Sequence, residues 1–153
     1  MVCQEHLPKK GGSDMAERKK PGKKDIDGKI KSQPFQVIER CQAFSAKVFI
    51  ASAGAPKEYR FTICKIIQTY SCELVHTARL ANCYKLESPE RLNTHNEVLE
   101  LMEKISDLLP VLRRCRCISL GQESELFKDL SNLQYGYKAW MESDKRRIAF
   151  LNK

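Results

Sequence analysis

The chain has 153 residues, a formal net charge of +8 and 42% hydrophobic residues, which suits one domain with one core. No apolar run approaches the roughly 20 residues a bilayer-spanning helix needs, so no membrane partner is expected. Its seven cysteines form no CxxC pair and follow no signal peptide, which argues against a disulfide framework and for a reducing cytoplasm.

The charge is unevenly spread. Residues 1–33 carry nine Lys/Arg against five Asp/Glu, half the net charge in about a fifth of the length. With four Gly, two Pro and little to bury, they are expected to form a disordered or loosely attached basic leader. Back-translated, Lys10-Gly11-Gly12 can spell a purine-rich ribosome-binding sequence ahead of Met15. Met15 is therefore the expected natural start, with residues 1–14 untranslated in the native setting.

Residues 34–147 read as four helices, with 148–153 as a C-terminal tail. The first starts near Pro34, because proline is tolerated in a first turn, and ends at Gly54-Ala55-Pro56. Its apolar positions Val37 or Ile38, Cys41, Phe44 and Val48 recur at three- and four-residue steps. The second runs from about Glu58 to Lys85. Ile63, Ile67, Tyr70, Leu74, Ala78 and Ala81 form its stripe, and Lys65, Thr69, Cys72, His76, Arg79 and Cys83 its polar face.

Ser88-Pro89-Glu90 opens the third helix with a cap, a first-turn proline and a first-turn acid. Leu92, Leu99, Met102, Ile105, Leu109 and Leu112 continue it, and Pro110 predicts a kink without a break. The fourth follows Ser119 and runs to about Arg147, with Leu126, Leu130, Leu133, Tyr137 and Trp140 inward. Gly136, mid-helix, predicts a close backbone approach. The fold class is all-α, an antiparallel up-down-up-down bundle.

That connectivity brings the first and third connections to one end. Lys57, Arg60 and Lys65 would then lie near Arg113, Arg114 and Arg116. Cations suit a helix C-terminus, so the Arg113–Arg116 cluster has a local structural reason. Lys57 and Arg60, at a helix N-terminus, have none. This mismatch is the best internal sign of a binding role, and an anionic partner such as nucleic acid and a merely solvated face both remain open. Arg79, Arg146 and Arg147 complete the candidate nucleic-acid-binding set, the last two at the opposite end beside Lys85, Arg91 and Lys145.

Catalysis finds little support. There is no phosphate loop, GxSxG or HExxH. Cys72 and His76 stand four apart, but nothing supplies the further ligands a zinc site needs, so no metal and no cofactor are expected. Cys41 and Cys64 read as core. His95, within Asn93-Thr94-His95-Asn96, reads as helix surface, and Tyr59, Phe61 and Tyr70 read as core in preference to base-stacking residues.

Pro56, Lys57, Tyr59, Arg60, Phe61 and Thr62 open a stretch that resembles the second helix of the accessory variability determinant (Avd) family of diversity-generating retroelements. The later segment with Ser119, Gly136 and Trp140 resembles that family's last helix, and the likeness covers about residues 34–143. Pro110, Gln122 and the cysteine content depart from the family. The resemblance implies a non-enzymatic, cytoplasmic, ring-forming bundle, pentameric, from a bacterium, archaeon or phage. Its partners would be the element's reverse transcriptase and its template RNA or cDNA, in support of mutagenic cDNA synthesis and retrohoming. Four-helix proteins of ribosomal-RNA intervening sequences share the fold and a similar Pro-Lys entry, but usually follow it with a glycine and an Arg-Arg-Ala-rich second helix, which this sequence lacks. They and a purely structural oligomer are the alternatives.

Overall fold

The computed structural model describes residues 26–153, with side chains from Pro34 onward. The proposed start at Met15 and residues 1–14 lie outside the described residues. Among those described, the protein is all-helical: α1 (Ile26–Ser52), α2 (Lys57–Arg60), α3 (Ile63–Cys83), α4 (Pro89–Arg114) and α5 (Leu120–Leu151).

Each long helix packs against two others: α3 against α1 and α4, and α5 against α1 and α4. The cross-contacts fix their direction. Between α1 and α3, Ser45 meets Ser71 and Ser52 meets Gln68. Between α4 and α5, Arg91 meets Asp144 and Arg113 meets Glu123. In both pairs residue numbers fall along one helix as they rise along the other.

The core follows the apolar stripes. Cys41, Phe44 and Val48 of α1, Ile67 and Leu74 of α3, Met102, Ile105, Leu109 and Leu112 of α4, and Leu126, Leu130 and Leu133 of α5 are buried. Each large aliphatic side chain so buried contributes about 1.5–3 kcal/mol. Tyr137 and Trp140 fill the α4–α5 side. Burial pushes the Cys41 thiol up to about 12, so it behaves as a small core residue.

Several boundaries differ from expectation. α1 begins at Ile26, ahead of the expected start near Pro34, and Pro34 lies inside it as Pro110 lies inside α4. Proline removes a backbone hydrogen bond but holds φ near the helical value, so the chain can continue through it. α5 runs to Leu151, through most of the expected tail, because no glycine or proline follows Arg147 and Ile148 is half-buried. The expected second helix is two pieces. One turn, α2, is followed by Phe61-Thr62 and then α3.

Both caps read from sequence are present. Ser88 Oγ accepts from Arg91 N–H, and Ser119 Oγ accepts from Gln122 N–H. Gln122 Oε1 in turn accepts from Ser119 N–H at 2.8 Å, completing a capping box. Gly136 departs from expectation. A Cβ there would meet only the tip of Arg40, at 3.5 Å, so no backbone approaches closely. Leu92 is half-exposed because the inward phase at the start of α4 belongs to Arg91 and His95.

Candidate nucleic-acid interface

The first and third connections share one end of the molecule. Cys64 in the first turn of α3 neighbours Cys117 in the α4–α5 connection, and burial, with that neighbour, pushes the Cys117 thiol up to about 12. Arg113 and Arg116 line one shallow groove with Ile50 and Ala51 from the end of α1 and Gly54 just after it.

The entry to α3 is locally held. Arg60 Nε donates to Ala55 O at 2.8 Å, closing the Pro56 turn with an arginine side chain. Thr62 Oγ1 donates back towards Tyr59 O and Glu58 O, across the turn between α2 and α3. Phe61 is 84% exposed, which corrects the core assignment made for it. Tyr59 and Tyr70 are half-buried against the core, and Lys104 Nζ lies 5.9 Å from the Tyr70 ring centroid.

The end of α4 is more unusual. Cys117 N–H donates to Leu112 O at 2.8 Å and Arg116 N–H to Arg113 O at 2.9 Å, the paired bonds of a Schellman motif. The residue that turns the chain there is Arg116, with φ 60°. Glycine normally takes this left-handed position; a residue with a Cβ pays about 1 kcal/mol. Arg116 is exposed, and among the described residues its guanidinium pairs with no carboxylate. Lys57, Arg60, Lys65 and Arg114 are likewise exposed and without an ion pair among the described residues. Arg113 differs, since it pairs with Glu123, a carboxylate buried in the first turn of α5.

The other candidates lie elsewhere. Arg79 is exposed on the outer face of α3, towards its C-terminal end. Arg146 and Arg147 flank a cleft with Leu86 and Phe150 near the end of α5, and Arg147 Nη1 stands 3.8 Å from Asp144 Oδ1.

Arg91 does not belong to a basic surface at that far end. It is buried, and its Nε donates to Asp144 Oδ2 at 2.7 Å while Nη1 donates to Tyr84 O. His95 is only 2% exposed, which corrects its assignment to the helix surface. Its Nε2 lies 3.0 Å from Asp144 Oδ2 and its Nδ1 2.7 Å from the Tyr137 hydroxyl. An ionised Asp144 only accepts, so Nε2 carries the proton between them. Burial works against the Asp144 charge, but hydrogen bonds from His95 and Arg91 outweigh it and hold the carboxyl below its ordinary range. Burial also pushes the Tyr137 hydroxyl up. Trp140 packs edge-on against His95 at 4.8 Å and Tyr137 at 5.2 Å. No local signal marks this cluster, because its partners are 42 to 53 residues apart.

Among the described residues no three His, Cys, Asp or Glu side chains gather as a metal site, and Cys72 and His76 are both exposed on α3. No helix among them is long and apolar enough to cross a membrane. Comparison with known protein families, with curated proteins and with solved structures finds no match for this chain.

Proposed function

We propose that this protein is a non-enzymatic accessory subunit of a diversity-generating retroelement. It forms an antiparallel up-down-up-down bundle and, as a cytoplasmic homopentamer, holds the reverse transcriptase and its template RNA or cDNA. The end bearing Lys57, Arg60, Lys65, Arg114 and Arg116 grips phosphates without reading bases. Arg113 stiffens that end through Glu123, while Arg79, Arg146 and Arg147 extend the basic surface beyond it.

Arg116 carries the phosphate-binding part of this reading. An arginine kept at a strained left-handed cap, with its charge free in solvent, serves stability less well than glycine would, and a ligand for its charge resolves that conflict. Membership of the retroelement rests on the likeness of the stretch from Pro56 to Thr62 to the Avd pattern. Exposed apolar side chains at Ile50, Ile66, Val111 and Leu120 support self-association.

The experiment adds the purified protein to the reverse transcriptase encoded beside its gene, with the template RNA. The wild type should raise cDNA yield. A variant with Lys57, Lys65, Arg114 and Arg116 all changed to Gln should not, while keeping its helical circular dichroism. A wild-type protein without effect on cDNA, or a clean monomer by light scattering, removes the proposal.

A further inference from the structure

We infer that Phe61 is a base-stacking platform, which makes the basic end a site for single-stranded nucleic acid and not for duplex. The inference rests on the phosphate-binding reading above and adds the class of strand to it.

Phe61 is 84% exposed, more than any other large apolar side chain described. An exposed phenylalanine is disfavoured in water. The chain closes α2 at Arg60, crosses Phe61 and Thr62 outside either helix, and restarts at Ile63. The backbone that presents the ring is tied on both sides. Arg60 Nε is bonded to Ala55 O before it, and Thr62 Oγ1 is directed to Tyr59 O and Glu58 O after it. The Phe61 N–H itself bonds to Tyr59 O. An aromatic side chain on a fixed turn loses little freedom when it meets a flat partner.

The surroundings select the partner. Arg60 precedes the ring, Lys57 opens the same turn and Lys65 follows on α3; all three are exposed, and none pairs with a carboxylate among the described residues. Glu58 lies in the same turn and Arg60 Nε is bonded to Ala55 O, but three cations against one acid flanking an apolar ring still complement a ligand that alternates anionic phosphate with an uncharged π-face. A single strand has that alternation. In a duplex the faces of the bases are stacked away and only phosphates reach the ring.

The test compares a short single-stranded RNA with a duplex of equal length, by fluorescence anisotropy over a salt series, for the whole protein. Phe61→Ala should weaken single-strand binding roughly five- to hundredfold, the range of one lost base stack. Duplex binding should hardly move, and the salt slope should stay unchanged because no charge is lost. Phe61→Trp should restore or strengthen single-strand binding. Equal losses on both nucleic acids, or single-strand affinity unchanged in Phe61→Ala, overturn the inference. A smaller assembly in sedimentation with per-protomer affinity intact overturns it too, and makes Phe61 a subunit contact. If Phe61→Ala is neutral while the four-Gln variant loses binding, the stacking role falls and the phosphate site stands. If the wild type binds neither RNA, both fall.

Discussion

Arg91 and Arg116 stand at the two ends of α4, and the same side chain does opposite work at each. Arg91 enters the first turn and is drawn inward, because Asp144 of α5 and the carbonyl of Tyr84 meet it there. Arg116 follows the last turn and finds no carboxylate among the described residues, so it remains in solvent in a strained backbone. Around Arg91, His95, Tyr137 and Trp140 close a buried polar cluster that locks α4 to α5. Arg116 shares a groove with Arg113, and its own charge meets no carboxylate among the described residues. A count of basic residues treats the two ends alike. Their partners separate them: Arg91 is tied into the fold, and Arg116 is left in solvent.

Breaking the folding end should have the largest effect. Arg91→Ala leaves Asp144 buried without its guanidinium partner and should cost about 3–5 kcal/mol. Urea unfolding followed by the fluorescence of Trp140, the single tryptophan, measures it directly. The joint change Arg91→Met with Asp144→Leu should recover much of that loss, since no lone charge is then buried. RNA affinity of the folded fraction should be unchanged in both.

The opposite end should respond with the opposite sign. Arg116→Gly relieves the left-handed cap and should raise stability by about 1 kcal/mol, while RNA affinity falls. A variant that gains stability and keeps full affinity would remove the distinction between the ends. Arg113→Ala sharpens it from within the basic cluster. It should lower stability, through the stranded Glu123, more than it alters the salt dependence of binding.

The gentlest probe is acid. Asp144 is held below its ordinary value of 3.8, so its contribution to stability is present above that value and is lost as pH falls through the depressed one. Unfolding midpoints should therefore drop on acidification below about pH 4 in the wild type. They should drop less steeply in the Arg91→Met, Asp144→Leu protein.

Much of the helical framework was legible because its signal is periodic and local. The positions read as inward on α5, from Leu126 to Trp140, are all buried, and Ser88 and Ser119 cap the helices they were assigned to. The polar face from Lys65 to Cys83 is exposed throughout. What escaped depends on distant or conformational partners. His95 sits in a polar string that reads as surface, and only Tyr137 and Asp144, far along the chain, show why it is inside. Phe61 reads as core, but eighteen residues, about five helical turns, separate it from Arg79 on the exposed face of α3, so its spacing already points outward. Arg116 gives no hint of a left-handed turn, since glycine is the residue that would signal one. The cations themselves were legible; which of them are free was not.

The salt dependence of RNA affinity tests the central claim most directly, measured for the wild type and for the protein with Lys57, Lys65, Arg114 and Arg116 changed to Gln. None of these four side chains makes an ion pair among the described residues, so the fold should survive their loss. Each phosphate contact on a single strand contributes about 0.7 to the slope of log affinity against log salt. The slope should therefore become shallower by roughly two to three, with affinity at low salt falling alongside it. A slope and affinity equal to those of the wild type would mean that this end does not hold nucleic acid.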